Sequence, residues 1–216
     1  LLAFNIFSTC LQTGVVSITS NAALVKKVTF PREVLPIVAV LTALVNTAIQ
    51  LPILIGAYLI TQSWPTPAQL LILIPALLGL IILSLAVAIF VSALNVYSRD
   101  IEHLMDVILL VLFWASPVVY AWSFAVDFFQ SRGLDWLATL YLYNPLTVCV
   151  IAFQDALWPA ASTPAGAPFL LFDSPWDWKL WAIPVASLIL LWLAHRFFLR
   201  LQGNFAREPV SYTHLR

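Results

Sequence analysis

A chain of 216 residues that is 62% hydrophobic and 9% charged falls far below the roughly 25% charge of soluble domains. That composition excludes an ordinary soluble globular protein and points to an all-α, polytopic membrane protein. Ten basic and ten acidic side chains cancel, so the placement of charge along the chain matters more than its sum. Cys10 and Cys149 form no C-x-x-C pair and read as small apolar residues.

The first apolar run, 1–20, has no initiator Met, no basic leader and no cleavage site, so it is no signal peptide. It reads as most of one membrane helix in a fragment lacking its true N-terminus. "ALVKKVTFPREVLP" (23–36) then interrupts the apolar sequence. Leu24, Val25, Val28 and Phe30 can form an apolar patch on a short helix, flanked by Lys26 and Lys27 and stopped by Pro31. Such a helix suits a groove on a cytosolic partner. The positive-inside bias alone would equally explain the cluster of Lys26, Lys27 and Arg32.

Runs 34–60 and 68–94 have 27 residues each, about 40 Å of helix, so each must tilt, kink or protrude. Pro52 and Pro75 are the kink points. "NVYSRDIEHLMD" (95–106) is a dense polar cluster. Arg99, Asp100, Glu102 and His103 can serve a gating role. Asp100, Glu102, His103 and Asp106 can also be imagined as a metal or acid–base site. The simplest reading is a helix start, capped by Ser98 or Asp100 and complemented by its acids, with Arg99 pairing with Asp100 or Glu102 or meeting lipid phosphate.

Run 104–122 is a fourth span. Its end carries Phe113, Trp114, Tyr120 and Trp122 around Pro117. These rings read as an interfacial belt or as the wall of a path for a sugar-bearing substrate. Segment 123–177 is rich in Trp, Tyr, Pro and Asp. Asn144-Pro145 divides it. Beyond the cut, Leu146, Val150, Phe153 and Leu157 share a helical face that excludes Thr147, Gln154 and Asp155. This predicts an amphipathic interfacial or re-entrant helix. The fifth span is 178–199.

Five spans put Lys26, Lys27, Arg32, Arg99, Arg196, Arg200 and Arg207 on one side, and Arg132 and Lys179 on the other. The first side is therefore cytoplasmic. The external segment instead carries Asp127, Asp135, Asp155, Asp173 and Asp177. No P-loop, H-E-x-x-H or G-x-S-x-G motif occurs. The spans hold no clear charge, which argues against a carrier driven by an ion gradient.

"NAALVKKVTFPREVLP", "NVYSRDIEHLMDVILLVLFWASPVVY" and "YNPLTVCVIAF" occur in this order. Together they resemble the permease subunit of type-2 ABC polysaccharide exporters, the O-antigen, capsule and teichoic-acid export family. The resemblance covers roughly 1–206 as a single membrane domain and leaves 207–216 as a tail, read either as a frayed end or as a foreign extension. It implies six spans in the complete chain, the first of them missing here, in a bacterial inner membrane. It implies a homodimer with a separate ABC ATPase, which binds ATP and Mg, so this chain itself carries no cofactor, metal or catalytic residue. The cargo would be a lipid-linked glycan, and nucleic acid is no partner. The resemblance places a coupling helix at about Asn21–Phe30, with Leu24, Val25, Lys26, Lys27, Val28, Phe30 and Arg32 as coupling residues. It places exit-gate helices at about Phe124–Trp158, with Asn144, Pro145, Phe153 and Gln154 among them. The sequence departs from the family's pattern at Gln154, where an Arg is common, and in the loose match of "RLQGNFARE". Two alternatives remain: a type-2 ABC permease for a drug or lipid, and a membrane-embedded glycosyl or acyl transferase using the acids of 100–106.

Overall fold

The computed structural model describes residues 1–22, 24, 31–62, 64–157, 172 and 176–202. Among them the chain is helical and contains no strand. The helices are α1 (Leu2–Ser20), α2 (Val34–Thr61), α3 (Pro67–Tyr97), α4 (Asp100–Ala115), α5 (Trp122–Ser131), α6 (Asp135–Tyr143), α7 (Pro145–Leu157) and α8 (Trp178–Gln202). Helices α1, α2, α3 and α8 are each long and apolar enough to cross a membrane. The pair α6 and α7, bent by 75°, would make a fifth span if counted as one.

Local chemistry sets several boundaries. Helix α3 starts in a capping box: Gln69 N donates to Thr66 Oγ1 at 3.3 Å, and Thr66 N donates to Gln69 Oε1 at 2.8 Å. Pro67 occupies the first turn, where its missing N–H costs nothing. Helices α2 and α3 continue through Pro52 and Pro75. Helix α3 runs for 31 residues, about 46 Å, so it extends beyond a hydrocarbon core of about 30 Å.

The expected fourth span is shorter than its apolar run. Helix α4 has 16 residues and ends at Ala115. Pro117 disfavours helical geometry at Ser116, which is extended at φ −111° and ψ 149°. At about 24 Å, α4 falls short of the hydrocarbon thickness, and residues 116–121 continue outside the helix.

Helices α1 and α3 are central. Helix α1 packs on α2, α3 and α4, and α3 also packs on α7 and α8. Small residues permit the close approaches. A Cβ on Gly14 would lie 2.8 Å from Ala88 Cβ, and one on Gly79 would lie 2.8 Å from Ile183 Cγ2. Without a strong hydrophobic drive between helices in lipid, such tight packing supplies much of the association energy. Polar side chains add specific ties: Asn5 Nδ2 donates to Gln50 Oε1 at 3.2 Å, and Asn95 Nδ2 donates to the Val15 carbonyl at 3.0 Å.

Helix α7 differs from its expected amphipathic form. Leu146 and Val150 are buried, but so are Thr147, Cys149, Ile151 and Asp155 from the other faces. It is a core element wedged against α1, α3 and α6, not a helix with one face in solvent. Periodicity separates the apolar face from Thr147 and Asp155, but it does not report that packing covers that second face too.

Candidate functional site

Val25, Lys26, Lys27, Val28 and Phe30 of the basic loop lie outside the described residues, as do Trp158, Asp173 and the tail 207–216. Leu24 is exposed, and its N–H donates to the Asn21 carbonyl at 2.9 Å. Arg32, just past the loop, donates from Nη1 to the main-chain carbonyl of Gln202. The adjoining Glu33 Oε1 lies 3.8 Å from His195 Nδ1. Tyr97 Oη donates to the Leu201 carbonyl at 3.0 Å. The last turn of α8 is thus clasped by the start of α2 and the end of α3. A cation on exposed helix C-terminal carbonyls is favoured by the helix dipole.

The polar cluster lies at the start of α4. Asp100 and Glu102 stand in the first turn, but Arg99 is the N-cap residue and no side chain caps the helix. Capping by Ser98 or Asp100 is therefore not formed. Main-chain carbonyls do that work: Ile101 N donates to Ser98 O at 3.2 Å and Glu102 N to Arg99 O at 3.3 Å. Arg99 makes no ion pair with Asp100 or Glu102. Asp100, Glu102, His103 and Asp106 are exposed, and among the described residues no acid, His or Cys group could hold a metal.

The external aromatics divide into two kinds. Phe113 is packed edge-on against Phe4 of α1, with centroids 5.2 Å apart, and against Trp114 at 5.6 Å. Trp122 packs against the main core. Trp114 itself is 63% exposed. Tyr120 folds back across the Pro117 bend and donates to the Trp114 carbonyl at 2.9 Å. With Leu104, Val107 and Val111, Trp114 forms an outward apolar face along α4.

Beyond it, α5 and α6 form a hairpin closed at Gly133, whose φ of +69° favours glycine. Leu134 N donates to Phe129 O and Gly133 N to Gln130 O, both at 2.9 Å. The turn into α7 is set by Asn144, whose Oδ1 accepts from Leu146 N at 3.1 Å, followed by Pro145 at the first helical position. Phe153 is buried.

The far end of α7 is tied in three directions. Gln154 Nε2 donates to the Pro117 carbonyl at 2.6 Å. Asp155 is 0% exposed, and its Oδ2 accepts from Phe172 N at 3.1 Å. Tyr58, near the external end of α2, donates to the Leu157 carbonyl. This last contact sets the end of α7 beside the end of α2 remote from the loop 21–33, an arrangement compatible with a re-entrant pair. Gln154, in place of the Arg common in the resembled family, bonds a main-chain carbonyl, for which a neutral amide suffices. Asp155, which the sequence places off the apolar face of its helix, is thus buried. Its sequence setting, "FQDAL", carries no sign that its carboxylate is buried.

The ABC-2 type transporter family profile matches residues 1–158 of this chain. The chain belongs to the ABC-2 type transporter family. This ABC-2 protein is 30% identical over 202 residues to the O-antigen export system permease protein RfbA of Myxococcus xanthus, covering 94% of this chain and 70% of that relative. It is 24% identical over 149 residues to each of two O-antigen export system permease proteins RfbA of Klebsiella pneumoniae, covering 69% of this chain. The chain spans about half the length of those two, at 54%. An ABC-2 permease is a multi-pass membrane protein, in accord with the apolar helices, and its family implies a separate ABC ATPase as partner.

Proposed function

We propose that this ABC-2 permease is the membrane subunit of an ATP-driven exporter that moves a lipid-linked polysaccharide of the O-antigen type across the bacterial inner membrane. The observation that carries this reading is the similarity to an O-antigen export permease along 94% of the chain. Two copies would associate, and the outward face of α4 with Trp114 would line the shared path. Aromatic faces offer a sugar chain contact area without one fixed set of hydrogen bonds. ATP and Mg bind the partner ATPase. Closure of the ATPase pair pushes on the loop 21–33, and Arg32 and Glu33 carry that displacement to α2 and to the clasped end of α8. On the external side, α5, α6 and α7 form the exit gate, hinged at Asn144 and held by Gln154 and Asp155. The single membrane domain runs to about residue 206.

Reconstitution tests this assignment. The full-length permease and its cognate ATPase are placed in vesicles loaded with lipid-linked glycan. ATP-dependent transfer of glycan across the bilayer is expected. Transfer of an amphiphilic drug or a simple lipid, with the glycan left behind, would assign the cargo elsewhere.

A further inference from the structure

A crevice of about 310 Å³ lies between the re-entrant pair α6–α7 and the first turns of α8. Its walls include Leu142, Pro145, Val148, Ala182, Ile183 and Ala186. Ala182 and Ala186 are exposed and one helical turn apart, so their short side chains leave the groove open. Helix α8 is a membrane helix that begins at Trp178, so these alanines stand one to two turns inside its external end. The crevice therefore sits at outer-leaflet depth. Water would find few polar partners there, whereas lipid chains surround it.

The rim is different. Tyr143, Trp178 and Lys179 also line the crevice, and all three are exposed. Trp and Tyr favour the headgroup level. Lys179 is one of two basic residues on the external side, and the other, Arg132, lies over the Phe128 ring at 4.6 Å. The neighbouring acid, Asp177, accepts from Lys179 N at 2.9 Å, which directs its carboxylate to the start of α8.

We propose that this crevice binds one anionic phospholipid of the external leaflet, its acyl chain along Ala182 and Ala186 and its phosphate on the Lys179 ammonium. The site is lateral, between the exit gate and the last membrane helix. It rests on the membrane topology and not on the identity of the cargo.

Native mass spectrometry of the full-length permease, with phosphatidylglycerol and phosphatidylcholine of equal chain length, tests this. One phosphatidylglycerol per chain should be retained saturably, ahead of phosphatidylcholine. Lys179→Gln should lower phosphatidylglycerol retention about fivefold, the worth of one lysine near an anionic headgroup, and leave phosphatidylcholine unchanged. Lys179→Arg should restore it. Ala186→Trp, which fills the groove, should lower retention of both lipids. Equal retention of the two lipids by the wild type would overturn the proposal, as would a Lys179→Gln variant that behaves as wild type. Loss in Ala186→Trp alone would reduce the site to a chain slot and overturn its anionic character.

Discussion

The Arg32 guanidinium donates to the Gln202 carbonyl, joining two residues 170 positions apart where α2 begins and α8 ends. Gln202 is the last residue of α8, and Tyr97 holds the carbonyl beside it, that of Leu201. The combined Arg32→Ala, Tyr97→Phe variant should lose about 1–2 kcal/mol, because both bonds are partly solvated and only one is charge-assisted. Hydrogen exchange should rise in 196–202 and stay unchanged in α1. Unchanged exchange at the end of α8 would mean that the clasp does not hold it.

Topology is open to a direct check. Single cysteines replacing Arg99 and Arg132, both exposed, should react with an impermeant reagent from opposite sides of the membrane. Arg99 follows the long helix α3, and Arg132 lies in the external hairpin. Labelling of both from one side would contradict the path through α4.

The aromatic pair on α4 should separate stability from transport. Phe113→Ala removes a ring packed on Phe4 and Trp114 and should cost about 2–4 kcal/mol. Trp114→Ala removes a mainly exposed ring and should leave thermal stability within about 1 kcal/mol. Export should nevertheless fall in the Trp114 variant. Thermal unfolding and glycan transfer, measured on the same preparations, distinguish the two outcomes. Equal losses of stability would place Trp114 among packing residues only.

The end of α7 predicts a graded response. Gln154→Ala removes the bond to Pro117 and should cost about 1 kcal/mol. Asp155→Ala leaves the buried Phe172 N–H without its carboxylate and should cost about 2–4 kcal/mol. Unfolding in detergent should rank the two in that order. The reverse order would show that the carboxylate contributes little to the fold.

The coupling role assigned to the loop 21–33 can be tested at its apolar residues. Replacing Val25 and Val28 by Asp should place unpaired charge in an apolar contact and cost about 2–5 kcal/mol of ATPase association. Membrane insertion should survive, because no span is altered. Co-purification with the ATPase and cargo-stimulated ATP turnover are the measurements. Normal values of both in the double variant would leave the loop with only a topological role.

Features that depend on neighbouring residues are legible in the amino-acid order. Hydropathy over a window of about 20 residues is a local sum, and it located α1, α2, α3 and α8. Asn144-Pro145 marked a break between helices because capping and the fixed φ of proline act within one turn. The basic loops predict the orientation by the same kind of local sum. How each face is used depends on the assembled fold. Asp155 reads as one of several external acids, yet it is buried because α7 is enclosed on all sides by α1, α3 and neighbouring chain. Phe113 and Trp114 are adjacent aromatics of one run, yet one packs on α1 and the other faces outward, since successive residues on a helix point about 100° apart. Arg32 and Gln202 meet through the packing of helices that no pattern in either segment specifies. Burial and long-range hydrogen bonds are properties of a pair of elements, so they exist only once the helices are assembled.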